Sequence, residues 1–123
     1  MRWLLTVCCM AMLCLSAGIP ESGVCVVEFN AAFNASNSVE WIENLSDCSG
    51  KRIDIMAEPE MQAEHKIVVV PTIIIFNEGE EVKRFQGNIM MQLEASESDV
   101  QEAVDEVIMS SFYWVVIALH IRF

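Results

Sequence analysis

Few residues in this chain could carry covalent or acid–base chemistry. Three of its five cysteines, Cys8, Cys9 and Cys14, fall in the first apolar run, and the body of the chain holds only Cys25 and Cys48. No two cysteines stand as Cys-x-x-Cys. Thiol–disulfide exchange needs one thiolate to attack and a second thiol to resolve the mixed disulfide, and no such unit is present. His65 has no cysteine, serine or carboxylate set beside it by a motif, so it reads as a helix-end residue. Glu28 is one acid inside an otherwise apolar run. The methionines at 90 and 91 read as core filler rather than metal ligands. No cofactor or metal site is called for.

The elements that would position these residues follow from periodicity. Val24-Cys25-Val26-Val27-Glu28-Phe29 is nearly all β-branched or apolar, as in a strand buried on both faces. Val39, Ile42 and Leu45 recur at helical spacing, and Asn37 with Glu40 fits a capping box, so a short helix is expected over 38–46. A second strand is expected over Lys51–Met56. Pro59 opens a helix reaching about His65, with proline and acids in its first turn. Val68-Val69-Val70 leads into Pro71, a candidate cis proline, and Thr72–Phe76 forms a strand. Asn77-Glu78-Gly79-Glu80 is a hairpin turn, and Glu81–Gln86 alternates as an edge strand. Ile89, Met90, Met91 and Leu93 mark a docking segment. Ser98 with Gln101 offers a second capping box. Val100, Ala103, Val104, Val107 and Ile108 then make a clean helical stripe. A strand, helix, strand, helix, strand, strand, helix order implies an α/β fold with a mixed four-stranded sheet and helices on both faces.

Composition sets further bounds. A chain of 123 residues with 54% hydrophobic content can fold as one domain. A formal net charge of −11 disfavours binding to a phosphate backbone, which sets nucleic acid aside as a partner. Met1-Arg2, the apolar run Trp3–Leu15 and Ser16-Ala17-Gly18 together resemble a secretory signal peptide over 1–18. Export to a periplasmic or extracellular space, or to the secretory lumen of a eukaryote, is the expectation. The folded domain is expected over 22–109. The tail over 110–123 is apolar and too short to span a bilayer unaided. Continuing the last helix, lying on a membrane and packing on a partner all remain open for it.

The residues around Pro71 carry a family resemblance. Val70-Pro71-Thr72, three apolar residues, Phe76, Gly79 and then Gly87 resemble the cis-proline region of thioredoxin-like proteins. Val26–Phe33 is similar to the family's strand ending in an aromatic residue, and Pro59 sits where the family often opens a helix. The resemblance covers roughly residues 24 to 108 and lacks the family's leading strand and helix. It implies a minimal βαβαββα thioredoxin-like core. Laid on that pattern, Asn34-Ala35-Ser36-Asn37 stands in place of Cys-Gly-Pro-Cys, Phe33 in place of tryptophan, and Glu28 at the family's buried acid. The resemblance is therefore to redox-inactive members that lack the Cys-x-x-Cys motif.

What this implies is a non-catalytic, exported protein that binds an extended polypeptide client or a partner protein at a groove of Phe33, Asn34, Asn37, Val70, Pro71 and Thr72. The alternative is a weak thiol–disulfide oxidoreductase or isomerase using Cys25 or Cys48. These two cysteines fall at one edge of the sheet, where a structural disulfide and two free thiols are both open. Asn34-Ala35-Ser36 and Asn44-Leu45-Ser46 also match the short N-glycosylation pattern.

Overall fold

The computed structural model describes residues 18–121. The segment expected as a signal peptide thus lies, Gly18 apart, outside the described residues. Four strands form one mixed sheet: β1 (Val24–Asn30), β2 (Ser49–Asp54), β3 (Thr72–Asn77) and β4 (Glu80–Gln86), in the order β2-β1-β3-β4. β1 runs parallel to β2 and antiparallel to β3, and β3 and β4 form a hairpin. Its two-residue turn, Glu78-Gly79, has both φ values positive (53° and 81°), the backbone that suits a tight hairpin.

Each face of the sheet carries its own core. Val27, Phe29, Ile74 and Phe76 pack with Met61 of helix α1 (Pro59–Glu64) and with Ile67. Val26, Ile73 and Ile75 pack with Val100, Ala103 and Val104 of helix α2 (Glu97–Ile121). The near-continuous hydrophobicity of β1 and β3 is explained by this sandwiching, since both faces of a central strand are buried.

Local bonding overrides periodicity between β1 and β2. No α-helix forms over 38–46; the crossover is made of two 3-10 segments, Ala32–Asn37 and Ile42–Asn44. The Asn37 side chain is committed to Asn34 rather than to capping. The Val39 N–H goes to the Glu28 carboxylate at 2.7 Å, and the Val39 carbonyl accepts from the Arg52 guanidinium. A residue with both backbone groups taken by side chains cannot join a helical ladder. β2 also begins two residues earlier than expected and ends at Asp54. Gly50 explains how it fits: an added Cβ would stand 2.1 Å from the Ile42 carbonyl oxygen.

The second expected capping box is displaced as well. Ser96 and Asp99 cap α2 reciprocally, the Ser96 N–H on Asp99 and the Asp99 N–H on the Ser96 hydroxyl. Gln101 instead clamps the Ser46 backbone, accepting from its N–H and donating to its carbonyl. At the end of α1, His65 is the C-cap, and Arg84 of β4 donates to the His65 and Lys66 carbonyls. The tail does continue the last helix, through Ile121.

Candidate functional site

The register brings three separate segments to one end of the sheet. Phe29 lies opposite Thr72 on one side and Ile53 on the other. The end of β1, the start of β3 and the end of β2 therefore meet, with the 31–38 segment leaving β1 and Pro71 entering β3. The Val70–Pro71 peptide bond is cis. Neither the N–H nor the carbonyl of Val70 takes part in a hydrogen bond among the described residues. The Pro71 carbonyl accepts from the Gly87 N–H at 2.8 Å. A Cβ on Gly87 would crowd the Val70 and Pro71 carbonyl oxygens at 3.0 Å, so a glycine lets the chain after β4 lie this close.

A further segment, residues 87–92, joins this end of the sheet and is not among the residues expected there. It turns outward through Asn88, whose side-chain oxygen accepts from the Met90 and Gln92 N–H groups, and Met91 takes a positive φ of 58°. This corrects the reading of the methionines: Met90 and Met91 are exposed, and Ile89 is 99% exposed. The hydrophobicity of the segment signalled burial, but the Asx turn rotates its side chains into solvent.

The six groove residues divide by exposure. Phe33 is 69% exposed and stands free at the rim, with Asn37 half-buried beside it. Asn34 is 3% exposed and is a tie rather than a contact surface. Its amide donates to the Asn30 side chain at 3.1 Å and to the Met91 carbonyl at 3.0 Å, and its oxygen accepts from Asn37 at 2.8 Å. Asn30 returns a bond to the Asn34 carbonyl and reaches the Ser38 hydroxyl. Thr72 is fully buried, with its hydroxyl on the Val69 carbonyl, and the side chains of Val70 and Pro71 are buried too. Of these three, it is the Val70 backbone that has no hydrogen-bond partner among the described residues.

Beneath the 31–38 segment lies Glu28, 1% exposed. Burial pushes its carboxyl above the ordinary value, while the Val39 N–H, Arg52 and Ser38 pull it partly back. Arg52 approaches it at 3.6 Å and also meets Glu43. A cleft of about 330 Å³ opens beside this pair, bordered by Ala32, Ala35 and Ser38.

The two cysteines are free thiols on opposite faces of the sheet, Cys25 in the α1-side core and Cys48 against the α2-side core. Lying at one edge of a sheet does not place two side chains on one face, so the disulfide alternative is not formed. Burial, with Cys25, Asp47 and Asp105 nearby, pushes the Cys48 thiol up, away from a reactive thiolate. The His65 ring packs between Phe29 and Phe76 at 5.4 and 5.3 Å. Of the two glycosylation patterns, Asn44 is exposed, whereas Asn34 is buried and fully bonded. Among the described residues no three histidine, cysteine or carboxylate side chains gather as a metal site.

Comparison with known proteins places the architecture. No protein-family model matches the chain, and no curated protein matches its sequence. Solved structures do match. A mutant thioredoxin from Halobacterium salinarum aligns with a TM-score of 0.58 at 19% identity, covering 70% of this chain and 75% of its own. Schistosoma mansoni thioredoxin aligns at 0.56 and 20%, covering 79% and 84%. Malassezia sympodialis thioredoxin aligns at 0.53 and 20%, covering 70% and 77%. The chain has a thioredoxin-like fold.

Proposed function

We propose that this thioredoxin-like chain is a non-catalytic binding protein that takes an extended polypeptide along the backbone of Val70. The observation that carries the reading is the unpaired N–H and carbonyl of Val70, at the end of the sheet that also carries the exposed apolar side chains of Phe33, Ile89 and Met90. An unpaired backbone edge is a template for strand addition, and flanking apolar side chains supply contact area. The position where the fold's oxidoreductases carry an attacking thiol is held here by Asn34, an amide with no nucleophile and with its bonds already made. The remaining thiols are one buried and one raised, which favours binding over redox catalysis. The reading includes export, on the strength of the Trp3–Leu15 run.

The test uses side chains that are free to change. Phe33→Asp and Ile89→Asp both lie on exposed positions, so they alter the rim without disturbing either core. Capture of a reduced and alkylated unfolded polypeptide by the native chain, lost in both variants, is the expected result. Equal capture by all three proteins would overturn the reading. Thr72→Arg is unsuitable as a probe, because it places a charge in the core.

A further inference from the structure

Helix α2 changes character along its length. Up to Glu106 it carries Glu97, Asp99, Glu102, Asp105 and Glu106 and buries Val100, Ala103 and Val104 against the sheet. From Val107 to Ile121 it contains no Asp, Glu, Lys or Arg. Val107 and Ile108 still pack on the domain, and the Asn77 amide reaches the Ser111 hydroxyl at 3.4 Å. Trp114 borders the β3–β4 hairpin beside Val82 and Lys83. Beyond it the helix projects into solvent: Val115, Val116, Leu119 and Ile121 are exposed, and the most apolar 18-residue stretch of the helix is only 6% buried.

From Phe112 to Leu119 the apolar surface goes all the way round, and His120 is the first polar side chain after it. Successive helical residues turn by about 100°, so Phe112, Tyr113, Trp114, Val115 and Val116, all exposed, point in every direction about the axis. A protein groove or a second copy of the helix would need one apolar face with a polar back. Hydrocarbon alone suits every side at once. Charge agrees with this occupant, since the acids stop where the apolar stretch starts, as at a boundary between water and lipid. Tyr113 and Trp114, each with an apolar ring and a polar tip, suit the headgroup level of that boundary. The net charge of −11 points to zwitterionic rather than anionic lipid.

We propose that residues 115–121 insert into one leaflet of a zwitterionic bilayer, with Tyr113 and Trp114 at its surface. Seven helical residues reach about 10 Å, against roughly 30 Å of hydrocarbon, so these seven account for the depth of one leaflet. This inference is independent of the Val70 groove.

The test uses the full chain with Trp3→Phe and Trp41→Phe, which leaves Trp114 as the sole tryptophan. Its emission then reports on the helix, whatever other segment meets the vesicle. Phosphatidylcholine vesicles should shift that emission to the blue, and vesicles with brominated acyl chains should quench it. Adding Val116→Asp and Leu119→Asp should weaken partitioning on the order of 100-fold or more, with an unchanged unfolding transition showing that the domain remains intact. Three results would overturn the proposal: no response to either vesicle, equal partitioning of the aspartate variant, or a blue shift without lipid that tracks self-association.

Discussion

The Asn34 amide donates to the Met91 carbonyl at 3.0 Å, joining the segment after β1 to the turn after β4 across 57 positions of sequence. The same amide holds Asn30, and its oxygen holds Asn37. One buried side chain thus sets the distance between the Phe33 rim and the Ile89–Met90 rim.

Asn34→Ala should therefore destabilise the domain by about 1–3 kcal/mol, because it strands a buried acceptor on Asn30 and frees the Met91 carbonyl. Urea unfolding measures the loss. The turn at 88–92 should also gain mobility, read as faster amide exchange at Met91.

Glu28 gives the domain a pH dependence of definite sign. Its folded pKa is raised above the ordinary 4.5, chiefly by burial. Over the window just above 4.5 the folded chain keeps a proton that the unfolded chain has released. The contribution is full below the unfolded value and is lost as pH rises through the folded one. The stability of the native chain relative to Glu28→Gln should fall as pH rises from 4.5. A rise over that interval would contradict the assignment.

Gly50→Ala should cost on the order of 1–3 kcal/mol, since the new methyl meets backbone at Ile42 and the 3-10 segment must shift to admit it. Thermal unfolding compared with the native chain measures the cost of this clash.

Cys25 and Cys48 on opposite faces should remain unpaired. Alkylation of the denatured, unreduced protein, followed by peptide mapping, should find both carrying the label. Insulin reduction by the native chain should match that of Cys48→Ser at background. A linked Cys25–Cys48 peptide, or activity lost with Cys48, would contradict the placement of the thiols.

Much of the fold was legible in the sequence because it rests on long-range burial that leaves a periodic trace. The β-branched runs of β1 and β3, Pro59 at the start of α1 and the stripe from Val100 to Ile108 all appear where they were expected. The failures share one cause. Over 38–46 the helical spacing of Val39, Ile42 and Leu45 was real, but Glu28 and Arg52 reach from the sheet and take the Val39 backbone. At 88–92 an Asx turn reverses the inside and outside assigned by hydrophobicity. Asn34 and Thr72 lie at the same end of the sheet, but whether a side chain there faces outward or into the interior depends on partners distant in sequence. The Asn88 and Met91 components had one local signal, the polar Gly87-Asn88 pair ahead of the apolar residues.

The most direct measurement of the central claim is the amide chemical-shift response of the full chain to a reduced, alkylated unfolded polypeptide that offers no thiol or disulfide. Binding along the Val70 backbone should move the signals of Val70, Phe33 and residues 88–91, and Phe33→Asp should abolish the response. Unperturbed signals at Val70 and Phe33, or a response confined to the surroundings of Cys25 and Cys48, would contradict it.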